Sequence, residues 1–303
     1  MNRYVYRIEH QTTYHYLGPV TLSRHLLHMT PRATDWQERL AHTLHFSTEP
    51  SLLDNSFDAF GNPVCRAEID TPYKHLTVST DMQVRIVPRS QFTYSASLPW
   101  ETVRDMLAYQ GKPRRAEQLN ALRYRTESPY VRIKHELSQY AADCFTPGLP
   151  LLAGAEALMQ KIHHEFTYSP GSTAVATPML TAFHQRQGVC QDFAHIMIGC
   201  LRSLGLAAHY VSGYLRTDPP PGQPRLTGAD ASHAWVAVYC PPQGWVELDP
   251  TNNLRVDTHH ITLAWGRDFG DVSPLRGILA GASLDKMEVK VTVTPLADAI
   301  VAN

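Results

Sequence analysis

The sequence predicts an α+β protein that begins with an antiparallel β-sandwich and continues into helices followed by a sheet. Short runs of alternating apolar and polar residues, separated by turn residues, occupy residues 1–100, a pattern typical of a sandwich. In the second half, an amphipathic stretch at 190–203 precedes three strand-like runs. Helices followed by strands, rather than alternating with them, indicate the α+β class.

The strands of the predicted sandwich follow from a two-residue periodicity. In residues 3–10, Tyr4, Tyr6 and Ile8 share one face, and mostly charged residues occupy the other, as in a half-buried strand. The turn-like segment FDAFGN at 57–62 separates two further runs. Similar strand-like runs occur near 40–47, 63–70 and 76–87.

The middle of the chain is predicted to be helical. Residues 101–150 form a polar helical connector that the segment FTPGLP at 145–150 ends. A helix is predicted at 151–165 and a shorter one at 178–187. Gly188 is placed to end the shorter helix, because glycine adopts the conformation that follows a helix C-terminus.

The second half carries the strongest periodic signals. In the stretch 190–203, Phe193, Met197 and Leu201 recur every four residues and predict a buried helical stripe that Gly205 ends. A proline-rich loop at 217–230 lies between the first two strand-like runs that follow. These runs cover 207–215, 232–240 and 244–249.

Near the C-terminus, residues 287–294 alternate strictly between valine and polar positions. This pattern predicts one more strand, which we expect to return to the N-terminal sheet. The predicted organisation is therefore a sandwich at 1–100, a helical connector at 101–150, a core at 151–265 and a C-terminal segment at 266–303.

Composition limits the classes of partner. The 303 residues are 43% hydrophobic and 18% charged, with a formal net charge of -1, so charge gives no reason to expect nucleic acid or a membrane surface as partner. No apolar run approaches the roughly 20 residues of a membrane-spanning helix. The N-terminal stretch MNRYVYRIEHQTTYHY lacks the apolar region of a signal peptide. We therefore expect a cytoplasmic protein.

The five cysteines are widely spaced, and none forms a CxxC pair. Neither a disulfide framework nor a zinc site is predicted, and a free, often buried thiol is the default for each. They are Cys65, Cys144, Cys190, Cys200 and Cys240.

Cys190 differs from the others in its predicted surroundings. It lies at the start of a helix, where unpaired N–H groups and the helix dipole favour the thiolate, the reactive form of cysteine. A nucleophilic cysteine also needs a base and a group that orients the base. His233 lies near the start of one predicted strand and Asp249 at the end of the next, so a hairpin through residues 241–244 would bring both to one sheet edge.

Each of these residues also has an ordinary structural interpretation. Cys190 is small enough to fill space under a loop, His233 could be a satisfied core histidine, and Asp249 could cap a turn before Pro250. The three together, each at the end of an element, favour a Cys-His-Asp triad.

The segments that carry these residues resemble a known family. GVCQDFAH, LRSLGLAAHYVSGYL, SHAWVAVY and GWVELDPTNN are similar to the transglutaminase-like superfamily of papain-type cysteine enzymes. HQTTYHY, LHMTPR and FDAFGN resemble the β-rich N-terminal domain of its bacterial members, and AWGRDFGDVSPLRG resembles their C-terminal segment. The resemblance implies a papain-like core preceded by a β-sandwich, with Cys190 as nucleophile, His233 as base and Asp249 as orienting acid.

The resemblance further implies an enzyme that acts on a peptide, isopeptide or γ-glutamyl amide through a thioester. Water as acceptor would give hydrolysis, and an amine would give acyl transfer. We expect a peptide or protein substrate and no cofactor or metal. Calcium dependence is not supported, because the sequence lacks an EF-hand-like acidic loop. The alternative is a non-catalytic module that holds a peptide in the same cleft.

Other residues keep two interpretations. The Cys190 backbone N–H is expected to stabilise an oxyanion, and Tyr168 is either a second donor or a packing residue. Asp192 and His195 are three apart on a helix and could bind a metal or form hydrogen bonds. Three charged residues either line the cleft or form ion pairs, with a slight preference for ion pairs; they are Arg267, Asp268 and Asp271.

Overall fold

A computed structural model describes residues 3–90, 92–109, 113–217 and 232–296. The N-terminal part is built from strands. They are β1 (Tyr4–Val20), β2 (Leu22–Leu27), β3 (Gln37–Phe46), β4 (Leu52–Phe57), β5 (Pro63–Ile69) and β6 (Tyr73–Ile86).

The rest of the described chain holds the helices and the remaining strands. After a 3-10 turn at Tyr94–Ala96, the helices are α1 (Trp100–Met106), α2 (Ala116–Leu122), α3 (His135–Ala142), α4 (Leu151–Glu165), α5 (Met179–Gln185), α6 (Cys190–Ser203) and α7 (Phe269–Val272). The strands are β7 (Thr167–Tyr168), β8 (Gln187–Gly188), β9 (Ala208–Leu215), β10 (Ser232–Cys240), β11 (Gly244–Asp249), β12 (Leu254–Arg255), β13 (His260–Gly266), β14 (Leu275–Ala280) and β15 (Leu284–Pro295).

The sandwich consists of two antiparallel four-stranded sheets. Their strand orders are β15-β1-β6-β3 and β14-β2-β5-β4, so each sheet takes one strand from the C-terminal segment. The strand predicted at 287–294 lies within β15, and its Val289 pairs with Thr12 of β1. Strand β14 had no clear alternation in the sequence. The sandwich is therefore not confined to residues 1–100.

The second half forms a mixed helix and sheet unit, so the α+β prediction is confirmed. Its antiparallel sheet has the order β12-β11-β10-β9-β13, and α6 packs against β10 and β9. Phe193, Met197 and Leu201 of α6 are buried in the main hydrophobic cluster. The central helix therefore fixes its first residue against the sheet.

Within the predicted helical connector, the structure has three short helices, α1 to α3. One local detail differs from the sequence predictions. Helix α5 ends at Gln185, and it is Arg186, with a left-handed backbone (φ 54°), that caps it, whereas Gly188 lies in β8. The Arg186 guanidinium lies over three aromatic rings, Tyr140, Phe166 and Phe183, and these contacts help to offset the strained conformation. Residues 218–230 of the predicted proline-rich loop lie outside the described residues.

A buried polar interface holds the sandwich against the mixed helix and sheet unit. Asn62, fully buried in the FDAFGN turn, donates to the carbonyl oxygen of Trp265 (2.8 Å) and accepts from its backbone N–H (2.9 Å). Gln37 makes the same pair of bonds with Thr262 (2.7 and 2.8 Å). Side-chain amides that satisfy backbone groups of β13 define one orientation between the two halves.

The same interface includes an apolar cluster. Tyr6 and Ile8 of β1 pack with Ile261 and Leu263 of β13. The side chains of His10 and Tyr214 hydrogen-bond at 2.7 Å next to this cluster. Among the described residues, the structure shows no helix that is long and apolar enough to cross a membrane.

Candidate active site

The local sequence fixes Cys190 as the first residue of α6. Asp192 Oδ2 accepts hydrogen bonds from the Val189 backbone N–H (2.9 Å) and from the Thr173 hydroxyl (2.7 Å), which holds the helix start in place. Gly188 is required because an added Cβ would lie 2.5 Å from the same carboxylate oxygen. The segment GVCQD therefore combines a helix cap, the space for it and a cysteine in the first turn.

Asp249 lies at the end of β11 and is completely buried. Its Oδ1 accepts the backbone N–H groups of Thr251 (3.0 Å) and Asn252 (3.2 Å). Its Oδ2 accepts from His233 Nε2 at 2.7 Å. One oxygen therefore caps the turn after the strand, and the other holds the imidazole.

His233 connects the other two predicted residues. Its side chain is only 9% exposed, and because Nε2 bonds Asp249, Nδ1 is the nitrogen available to Cys190. Burial by itself would lower the pKa of His233, but hydrogen bonds to Asp249 and to Cys190, with their charges, raise it to about 10. The structure thus brings all three residues together in the order Cys190, His233, Asp249.

The charge on Asp249 is stabilised from several sides. Burial favours its neutral form, but hydrogen bonds from His233 and His260 hold the pKa of the carboxyl well below its usual range. An ionised acid of this kind keeps the neighbouring imidazole in one orientation and stabilises its protonated form.

The four other cysteines lie in different surroundings. All four are buried, whereas Cys190 is partly exposed. Burial raises the pKa of the Cys65 thiol to about 11, and raises that of Cys144, Cys200 and Cys240 as well. Of the five thiols, Cys190 alone is partly exposed, and it lines a cleft together with His233.

Two further residues complete the site and were missed by the sequence analysis. His260, at the start of β13, donates from Nε2 to Asp249 Oδ2 at 3.1 Å. Asn252 donates from Nδ2 to the same oxygen at 2.8 Å. Asn252 follows the aspartate in the segment DPTNN, so a local signal for it existed, whereas His260 reaches the site only through the pairing of β13 with β9.

Tyr168 lies close to the nucleophile position. It is in β7, which pairs with β8 so that Tyr168 is opposite Gly188. Its side chain is 52% exposed, and its ring contacts Phe193 edge-on. Burial and the charge of Cys190 both raise the pKa of the Tyr168 phenol, which keeps the hydroxyl available as a donor.

Asp192 and His195 do not form a metal site. Asp192 has the capping bonds described above, and buried His195 accepts the Phe269 backbone N–H at Nε2 (3.2 Å) between the rings of Tyr130 and Tyr210. The potential ligand atoms that do converge within the described chain belong to His233, Asp249 and His260. Both imidazoles hydrogen-bond to Asp249 Oδ2, as expected for a proton-holding network.

The three charged residues near the C-terminal segment are held in structural contacts. Arg267 and Asp271 form an ion pair at 2.9 Å. Asp268 is buried, caps α7 through the Gly270 N–H (2.9 Å) and accepts the Tyr130 N–H (2.8 Å). These contacts hold α7 beside the cleft.

A cleft of about 270 Å³ contains both Cys190 and His233. Its walls come from both halves of the molecule. Thr12 and Tyr14 of β1 and Met287 of β15 contribute from the sandwich, and Phe269 of α7 contributes from the other side. The sandwich therefore forms part of the entrance to the predicted nucleophile.

Comparison with known proteins agrees with this architecture. Residues 6–85 match the bacterial transglutaminase-like N-terminal region, and residues 138–250 match the transglutaminase-like superfamily. An uncharacterised protein of Mycobacterium tuberculosis is 38% identical over 298 residues, which cover 96% of this chain and 92% of that protein.

Two further similarities concern parts of the chain or the fold alone. A protein-glutamine gamma-glutamyltransferase of Pseudomonas aeruginosa is 35% identical over 99 residues, 31% of this chain and 15% of that protein. A solved structure from Cytophaga hutchinsonii, described as a candidate cysteine protease, has a TM-score of 0.73 and 19% identity, covering 97% of this chain and 91% of that chain. From the two matched regions and the shared fold, the chain belongs to the transglutaminase-like superfamily, as a member that carries the bacterial N-terminal region.

Proposed function

We propose that this protein is a cysteine-dependent amide-bond enzyme that forms a thioester on Cys190. The observation that carries the proposal is the position of His233, which lines the same cleft as Cys190 and hydrogen-bonds to the buried Asp249 carboxylate at 2.7 Å. Membership of the transglutaminase-like superfamily supports an amide-bond enzyme in general. The reaction covers hydrolysis or acyl transfer on a peptide, isopeptide or γ-glutamyl amide.

The first half of the reaction follows from this geometry. The Cys190 thiolate attacks the amide carbonyl carbon, and a C–S bond forms as the carbonyl oxygen becomes an oxyanion. The backbone N–H groups at the start of α6 lack intrahelical acceptors and are suited to stabilise that charge. His233 then gives its proton to the leaving nitrogen, the C–N bond breaks, and a thioester and a free amine result.

The second half reverses these roles. An acceptor, water or an amine, loses a proton to His233 as it attacks the thioester, and the C–S bond breaks to regenerate the thiolate. Asp249 stays ionised and holds the imidazole in place. Tyr168 is a further oxyanion donor in this proposal, since it lies beside β8 and its phenol keeps its proton.

A non-catalytic peptide-binding module is the alternative function. A module that only binds does not require a protonated histidine between a partly exposed thiol and a buried carboxylate. The arrangement of the three residues therefore favours catalysis.

Trapping of the thioester tests the proposal. The purified protein is incubated with a bacterial extract, and its intact mass is measured before and after treatment with neutral hydroxylamine, which cleaves thioesters. We expect an adduct on Cys190 that hydroxylamine removes and that the Cys190→Ala variant does not form. Absence of any hydroxylamine-sensitive adduct, together with slow reaction of Cys190 with iodoacetamide, would refute a thioester mechanism.

A further inference from the structure

The cleft beside Cys190 has walls without ionised side chains. None of the described residues that line it is an Asp, Glu, Lys or Arg. The charged groups in the cleft are therefore those of the proposed nucleophile, Cys190, and its histidine, His233. Its walls are mostly apolar, and the apolar side chains include Val175, Phe269, Leu275, Met287 and Val289. A charged group bound against these walls, away from the Cys190–His233 pair, would lose water without gaining an ionic partner.

The part of the cleft wall that the sandwich contributes is continuous with a buried apolar face of β15. Along β15, Val293 and Val291 are completely or almost completely buried against the catalytic half. The next two residues on the same face, Val289 and Met287, remain 46% and 53% exposed and line the cleft. The apolar face thus extends past the interface to the nucleophile, where nothing in the described chain covers it.

The apolar character of this wall is not a property of the whole strand β15. The outward face of the same segment carries Lys286, Glu288 and Lys290, and Lys286 and Glu288 form an exposed ion pair. Apolar side chains are therefore restricted to the face that meets the cleft. An exposed apolar patch rimmed by polar residues marks a binding surface.

We propose that Met287 and Val289 form a subsite for an apolar side chain of the acyl donor, so that the substrate is an uncharged internal segment of a polypeptide. The inference rests on the proposed function and specifies its substrate class. A donor that places a carboxylate or a cationic side chain against Met287 and Val289 is disfavoured, because the described residues of that wall offer no counter-charge.

A series of alkylating probes tests this subsite without knowledge of the natural substrate. Iodoacetamide, N-hexyl iodoacetamide and N-(5-carboxypentyl) iodoacetamide each form a C–S bond with the Cys190 thiolate as iodide leaves. Rates are measured by mass spectrometry and divided by the rate of each probe with glutathione. We expect the hexyl probe to react at least about tenfold faster than the carboxypentyl probe, because only the hexyl chain is uncharged.

Variants of Met287 and Val289 test whether these two residues cause the preference for the hexyl probe. Met287→Gln and Val289→Thr keep side-chain size but add polarity, and each should reduce the hexyl-to-carboxypentyl ratio severalfold. Leu284→Gln is the matched control, since Leu284 is also an exposed apolar residue of β15 but does not line the cleft. It should leave the ratio unchanged. Equal rates for the two long probes, or a ratio that Met287→Gln and Val289→Thr do not alter, would overturn the subsite.

A binding measurement separates this inference from the proposed chemistry. In the Cys190→Ala variant with ¹³C-methyl methionine, addition of N-hexylacetamide should shift the Met287 methyl resonance, whereas 6-acetamidohexanoate should not. The Met287→Gln variant assigns the resonance. A shift with slow alkylation of Cys190 would support the subsite and contradict the proposed nucleophile. Fast alkylation by iodoacetamide without a shift or a probe preference would contradict the subsite alone.

Discussion

His233 and His260 donate hydrogen bonds to the same oxygen of Asp249, at 2.7 and 3.1 Å. His233 belongs to β10 and His260 to β13, which lie on either side of β9. The buried carboxylate therefore connects two strands that are not neighbours. Its ionised state, and with it the charge of His233, depends on both imidazoles.

Cys190 should be the one thiol that reacts rapidly near neutral pH. The raised pKa of His233, about 10, keeps a positive charge beside Cys190 at pH 6–7, whereas burial raises the pKa of the other four thiols. Limited labelling with iodoacetamide at pH 6.5, followed by peptide mass spectrometry, should place nearly all modification on Cys190. Equal, slow labelling of all five cysteines would contradict this assignment.

Substitutions at the three central residues should differ by role. Cys190→Ala should abolish thioester formation while the fold is retained. His233→Ala should slow the reaction by roughly 100-fold to 10,000-fold, because the thiolate loses its ion-pair partner and the leaving group its proton donor. Asp249→Asn should slow it less, since Asp249 acts only through His233.

Rates are compared by thioester formation and by iodoacetamide labelling, with circular dichroism as the fold control. A larger defect in Asp249→Asn than in His233→Ala would mean that the acid is misassigned.

His260 should act as a positioning residue through Asp249. His260→Phe keeps a buried ring but removes one donor from the carboxylate, so the pKa of Asp249 should rise. The acid limb of the Cys190 labelling profile should then move to higher pH, and the rate at pH 7 should fall roughly 10- to 150-fold, which corresponds to the about 1.5–3 kcal/mol of one hydrogen bond to a charged group.

His260→Gln is the conservative control for this prediction. Its amide can donate to Asp249, so it should restore most of the rate and the acid limb. The exposed carboxylate of Asp257, 3.5 Å from His260 Nδ1, faces the same imidazole, and Asp257→Asn should be combined with both variants. An unshifted acid limb in His260→Phe would reduce His260 to a packing residue.

The His233–Asp249 pair should make folding stability depend on pH in a defined direction. The folded-state pKa of His233 lies above its ordinary value of 6.5, so its contribution is complete below about pH 6.5 and is lost as the pH rises through about 10. Asp249 has a depressed pKa, so its contribution is present above about pH 4 and is lost on further acidification. The free energy of unfolding, measured with urea, should be lower at pH 9 than at pH 6. This difference should be smaller in His233→Gln. The same loss in both proteins would show that other groups cause it.

The sandwich should be needed for a stable catalytic half. Without it, residues 101–303 would expose Ile261, Leu263 and Tyr214, which are buried against β1 and β15, so this fragment should aggregate or lose activity. In the full chain, Asn62→Ala should lower the free energy of unfolding by about 3 kcal/mol, because the buried backbone groups of Trp265 lose their partners. A soluble fragment with full activity on every substrate would show that the sandwich is dispensable.

The sequence by itself determined helix α6, the strands β9 to β11 that follow it and the candidates for the three central residues. The stripe of Phe193, Met197 and Leu201 is a local periodicity, and it fixes α6 and so the place of Cys190 at its start. His233 and Asp249 belong to strands joined by a short turn, and the hairpin register that brings them together is also local. Local signals of this kind are readable because side-chain direction repeats every 3.6 or 2 residues.

Only the tertiary structure decided the surroundings of these residues. His260 reaches Asp249 through the pairing of β13 with β9, and Met287 reaches the cleft because β15 pairs with β1, more than 270 positions earlier in the chain. Likewise, Arg186 rather than Gly188 takes the left-handed position after α5, and its guanidinium lies over Tyr140 and Phe166, which come from earlier parts of the chain. Periodicity specifies which face of an element is apolar, but the partner of that face depends on packing between segments far apart in sequence.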